Sequence, residues 1–188
     1  MAGFDIDAAL RWARLDPRRS LVRRADGDLP FVTAADLAGS PLLLDACVYI
    51  HQLQGRLPEL IALLIDVRQI NHSSIAVQEL LHAVGVLNPA DARTPAAVDA
   101  IRTLVQAMPD HRLFTPDADV LGRAALLAGM LCRLQGYGRD ARLRALMDAT
   151  LFLQAHKLGL TVLTANLGDF DCLQQLVPTG RVLFYRAN

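Results

Sequence analysis

The chain has 188 residues, 53% of them apolar and 20% charged, which suits one packed domain with a sizeable core and argues against a disordered chain. Lys+Arg and Asp+Glu both number 19, so no net field marks the whole chain as a nucleic-acid binder, and only local clusters can argue for one. Cys47, Cys132 and Cys172 are odd in number and form no CxxC pair, which argues against a disulfide framework or a zinc knuckle and fits a reducing, cytoplasmic setting.

Residues 1–40 read as an extension before the main domain, 41–188. Asp5, Asp7, Arg11 and Arg14 interrupt the first apolar residues, so no secretory signal is expected there. FDIDAALRWARL fits a short amphipathic helix, and TAADLAG a second one with Thr33 as N-cap. From Pro41 onward strands and helices alternate. Leu42–Leu44 is a short buried strand ending at Asp45, followed by helices over VYIHQLQ and PELIALLIDV, the latter with Pro58 in its first turn. INHS is a weaker strand, and Ser74 can cap the helix IAVQELLHAV. A helix from Thr94 and Pro95 comes next, then a strand at HRLF and a long apolar helix from Asp117 to Gln135. ARLRALMDATLFLQAHKLG is helical and closed by Gly159; TVLT, a short helix DFDCLQQL and RVLFY complete the chain. Five strands separated by helices imply a parallel sheet between helical layers, an α/β fold. No apolar run approaches the roughly 20 residues that a membrane span needs, so no membrane association is expected.

Asp45, Glu79, Asp148 and Asp169 stand far apart in sequence, each beside an apolar strand or helix. Side chains just beyond the carboxyl ends of parallel strands share one crevice, where carboxylates distant in sequence can converge. Each acid also has a plainer reading. Asp45 suits an N-cap, Glu79 can face solvent beside Gln78 and His82, Asp148 can pair with Arg144 one turn away, and Asp169 can cap FDCLQQL with Asp171 in its first turn. Converged carboxylates repel one another, a cost that a hard divalent cation such as magnesium relieves. Arg133, Arg139, Arg142 and Arg144 cluster around Gly136–Gly138, where Tyr137 can stack a base; a solvated surface run is the equal alternative. The five histidines form no HExxH pattern, and Cys47 reads as a small buried apolar residue.

LLLDACVYI, SSIAVQELLHAVG and LMDATLFLQAHKLGLTVLTANLGDF resemble the successive motifs of PIN domains, most of all VapC-type bacterial toxins, from about Leu42 to Arg186. The resemblance implies a PIN-like three-layer fold with a five-stranded parallel sheet. It also implies Mg2+ or Mn2+ bound by Asp45, Glu79 and Asp148 for RNA cleavage. Thr164, Asn166 and Asp169 match the family's form Thr-x-Asn followed by an acid, with Thr164 in a supporting role. The fourth ligand is then Asp169, Asn166 through its amide oxygen, or neither directly. The function implied is a metal-dependent endoribonuclease, the toxin of a type II toxin-antitoxin pair, with an RNA substrate, a cognate antitoxin and a homodimeric assembly. The alternatives are an inactive PIN-fold binding or regulatory protein, and a phosphatase-like domain with Asp45 as nucleophile. The last wants a Gly-rich phosphate loop or a strand-end lysine, and the only lysine, Lys157, lies in a helix.

Overall fold

A computed structural model describes residues 4–14 and 16–188. Leu15, the expected end of the first helix, lies outside the described residues, as do Met1 to Gly3. The main domain opens with β1 (Leu42–Leu44), α2 (Ala46–Leu53), α3 (Glu59–Val67) and β2 (Ile70–Ser73), preceded by α1 (Ile6–Ala13). Then come α4 (Ser74–Gly85), α5 (Thr94–Gln106), β3 (Leu113–Phe114), α6 (Ala118–Gln135) and α7 (Arg139–Leu158). β4 (Thr161–Thr164), α8 (Leu167–Leu176) and β5 (Arg181–Phe184) end the chain. The five strands form one parallel sheet in the order β3-β2-β1-β4-β5. Strand order therefore reverses between β1 and β4, and a crevice opens beyond their carboxyl ends at that switch point.

The sheet is covered on both faces because its strands are apolar on both. Leu43, Val162, Val182 and Phe184 join a core with α6, α7 and α8. Leu42, Leu44, Leu163 and Leu183 face the other way, into a core with α2, α3, α4 and α5. This is the two-residue alternation of a strand read on both faces. Gly136, at φ 65°, closes α6 in the left-handed conformation that a side chain disfavours, and Gly138 caps α7, leaving Tyr137 alone at the turn. Among the described residues no helix is long and apolar enough to cross a membrane.

Several boundaries differ from the sequence expectation for local reasons. Ser73, not Ser74, caps α4, its hydroxyl accepting from the Ile75 amide at 3.1 Å. The segment at Thr33 forms only a 3-10 turn, Ala34–Leu37, although its capping box is complete. HRLF contributes two strand residues, the rest being a 3-10 turn.

The N-terminal segment packs on the domain. α1 lies against α6, where a Cβ on Gly122 would meet Phe4 ring atoms at 2.2 Å, and the Arg123 guanidinium stacks over Trp12. Arg133 donates to the carbonyls of Arg18 and Asp16 at 2.6 and 2.5 Å, and Leu21 and Leu29 enter the core. Phe31 forms a parallel bridge to Phe184, with the Val32 amide donating to the Phe184 carbonyl and the Phe184 amide to Pro30. Asp171, fully buried on α8, accepts from the Arg24 amide at 2.8 Å, Arg24 Nε at 2.6 Å and Gln175 Nε2 at 2.9 Å. The sequence offered Asp171 only as a first-turn acid; its role is to anchor a distant segment.

Candidate metal centre

Asp45 stands where β1 ends and α2 begins. It is the N-cap residue of α2, yet its side chain makes no capping bond. Instead Oδ2 accepts from the Thr164 hydroxyl at 2.6 Å, across the β1–β4 pairing, and from the Cys47 thiol at 3.0 Å. Thr164 is fully buried at the end of β4. Cys47 is therefore not the inert apolar filler the sequence suggested. Its place in the first turn of α2 carries the thiol back over Asp45, and burial next to that acid pushes its pKa up.

Asp148 comes to the same place from the middle of α7, with Asn166 Nδ2 donating to its Oδ2 at 2.9 Å. The same amide donates to Asp169 Oδ2 at 3.2 Å, so Asn166 ties the two acids together. Asn166, and not Asp169, is the N-cap of α8, its Oδ1 accepting from the Asp169 amide at 3.3 Å. Asp169, one turn inside, is free to face the crevice, where the Tyr137 hydroxyl donates to Oδ1. The alternative Asp148–Arg144 pair does not form. Arg144 leans to Asp169 instead, Nε to Oδ2 at 3.6 Å.

Asp45, Asp148 and Asp169 expose only 4%, 4% and 3% of their surface, which leaves three carboxylates with little water. Burial pushes the Asp45 carboxyl up, against the bonds from Thr164 and Cys47 that favour its charge. Asp148 is held well above the usual carboxylate range, by burial first and then by the charges of Asp45, Asp169 and Glu79. Glu79, half-buried on α4, is raised to about 7 by burial and by Asp45, with Arg144 pulling the other way. Hydrogen bonds through Thr164 and Asn166 link Asp45, Asp148 and Asp169, and the charge of Glu79 adds to the burden on Asp148.

Of the remaining candidates, Arg139, Arg142 and Arg144 are exposed on α7, whereas Arg133 is committed to the N-terminal segment. Tyr137 has its hydroxyl on Asp169, a long-range contact that no sequence spacing announces.

The donor set is all oxygen apart from Cys47, and among the described residues its buried acids have no cationic partner except the loose Arg144, a chemistry that fits a hard divalent cation. Among the described residues no three His, Cys, Asp or Glu side chains stand close enough to hold a metal as they are.

A raised carboxyl pKa makes the metal-free protein sensitive to alkali. Glu79 in the fold retains a proton that the unfolded chain, at the usual 4.5, has lost, so stability falls as pH rises from there through about 7. Thermal melts in chelator are expected to show lower stability at pH 8 than at pH 5. Glu79→Gln should remove about 2 kcal/mol of that difference, allowing for partial exposure. The same slope in both proteins would show that Glu79 does not carry the strain.

Solved structures share this architecture. The chain matches one in the crystal structure of FitAcB from Neisseria gonorrhoeae with TM-score 0.53 and 21% identity, over 77% of this chain and 96% of that one. VapBC from Salmonella typhimurium, solved bound to DNA, matches with TM-score 0.52 and 18% identity over 77% and 97%. VapBC2 from Rickettsia felis, solved bound to a DNA fragment from its promoter, matches with TM-score 0.51 and 14% identity over 77% and 98%. No protein-family profile matches the sequence, and neither does any curated protein. At these identities the likeness shows the fold, and the fold is PIN-like.

Proposed function

We propose that the protein is a Mg2+- or Mn2+-dependent endoribonuclease, the toxin of a bacterial toxin-antitoxin pair with a cognate antitoxin as partner. The observation that carries this reading is the convergence of Asp45, Asp148 and Asp169, linked through Thr164 and Asn166, at the switch point of the sheet. The likeness to FitAcB and VapBC assemblies, two of them carrying DNA, supports the toxin-antitoxin half.

Asp45, Asp148 and Asp169 would hold the cation, with Glu79 beside them and Asn166 able to contribute its amide oxygen. A bound Mg2+ or Mn2+ supplies Lewis-acid polarisation of a phosphate oxygen and a more acidic water. The Thr164 hydroxyl fixes the orientation of Asp45, and Tyr137 fixes that of Asp169. Glu79, raised in the metal-free protein by burial and by the charge of Asp45, adds a further carboxylate that a bound cation would relieve. Arg139, Arg142 and Arg144 offer exposed charge for the RNA backbone.

The test is cleavage of single-stranded RNA by the purified chain with Mn2+ or Mg2+ and with chelator. Cleavage is expected only with metal; cleavage that persists in chelator rejects the mechanism. Binding itself is checked by melting. Mn2+ should raise the melting temperature of the wild type by several degrees more than that of Asp45→Asn, since a ligand selective for the folded state stabilises it. An equal shift in both would place the ion elsewhere. It would favour the competing reading of an inactive PIN-fold binding or regulatory protein.

A further inference from the structure

α8 carries two buried aspartates two residues apart, each with an arginine, and the pairs are built differently. Asp171 is locked: Arg24 binds it through both backbone and guanidinium, at 2.8 and 2.6 Å, with Gln175 as a third donor. Asp169 has a guanidinium at 3.6 Å, on an Arg144 side chain that is 64% exposed above a carboxylate only 5% exposed. Among the described residues this is the one ion pair that any of Asp45, Glu79, Asp148 or Asp169 makes with Lys or Arg. Arg144 lies one helical turn before Asp148 on α7, and its charge is also felt at Glu79. A single long, exposed cation thus serves a group of acids that otherwise repel one another.

We infer that Arg144 is the site's own counter-ion, holding the position at Asp169 that a divalent cation takes over, and that its displacement frees it to grip an RNA phosphate. The inference rests on the ribonuclease reading for its second half only. A loose, exposed pair is weak, so breaking it costs the incoming cation little. Once the acids are neutralised, the released guanidinium can form the forked contact with phosphate oxygens that arginine makes best. Tyr137, bonded to Asp169, also lines a cavity of about 470 Å³ together with Arg142 and Leu146. An RNA strand seated there lies one side chain away from Asp169. Metal loading and substrate grip are therefore coupled: the site offers its phosphate contact more readily when the cation is in place.

The experiment is Mn2+ titration calorimetry on the full chain, wild type against Arg144→Gln, Arg144→Lys and, as a charge control on α5, Arg102→Gln. Arg144→Gln should bind Mn2+ about two- to fivefold more tightly, the range an exposed pair allows. Arg144→Lys should return toward wild type, and Arg102→Gln should match wild type. Equal Mn2+ affinity in wild type and Arg144→Gln, or an equal gain in Arg102→Gln, overturns the counter-ion assignment. With saturating Mn2+ and a short single-stranded RNA, Arg144→Gln should raise KM more than it lowers kcat. It should also flatten the dependence of log(kcat/KM) on log salt by about 0.7. Tighter Mn2+ binding with an unchanged KM overturns the phosphate contact. If the wild type cleaves no RNA with either metal, the ribonuclease reading falls, and the Mn2+ titration alone decides whether Arg144 is the counter-ion.

Discussion

Asp148→Asn is expected to lower metal-dependent RNA cleavage by about 10²–10³-fold or more, the loss seen when one preorganised electrostatic group is removed from an active site. The fold should survive. Asparagine keeps the shape of the side chain and can still meet Asn166, while the charge that burial and three neighbouring acids oppose is gone. Melting of the metal-free variant at pH 8 should therefore match or exceed the wild type, with an unchanged circular dichroism spectrum. A variant that folds and cleaves at the wild-type rate would remove Asp148 from the metal centre.

Arg24→Ala should be the most damaging single change in the N-terminal segment. It strips the guanidinium from a carboxylate with no exposed side-chain surface, leaving Asp171 with one backbone amide and Gln175. Breaking a buried pair from one side typically costs about 3–5 kcal/mol; Arg24 is 36% exposed, so about 2–3 kcal/mol is expected in urea unfolding. The second variant needed is Arg24→Ala with Asp171→Asn, which removes the stranded charge as well. It should recover a clear part of the loss. If it recovers none, the destabilisation comes from lost packing and not from the ion pair.

The fold was largely readable because its signals are local. Apolar strands of three or four residues, capped helices and the glycines after α6 and α7 are all short-range features, and they led to the parallel sheet. The acids Asp45, Glu79, Asp148 and Asp169 were singled out by their position beside apolar elements and by the resemblance to PIN motifs, and hydrogen bonds through Thr164 and Asn166 link three of them, Asp45, Asp148 and Asp169. What escaped was everything set by contacts across the chain. Tyr137 meets Asp169 and Arg24 meets Asp171 only once the sheet has brought α8 to them, and no spacing encodes either pair. The Cys47 contact was within reach, since a residue in the first turn of a helix folds back toward its cap. The plainer reading of Asp169 as an N-cap gives way for a related reason: Asn166 and Asp169 both suit the position, Asn166 takes it, and Asp169 is left to meet Tyr137 and the Asn166 amide.

The parallel bridge between Phe31 and Phe184 has a consequence for recognition. A sheet with a bare outer strand can be extended by a strand from another molecule, its unpaired amides and carbonyls serving as the template. Here residues 30–32 already occupy the β5 side, and the opposite margin, β3, is only two residues long. Main-chain zippering is thus blocked for a partner at the Phe184 end of β5 and scarcely available at β3. A partner that docks on the helices instead is read through side chains, where specificity is set by individual residues and single substitutions can redirect it.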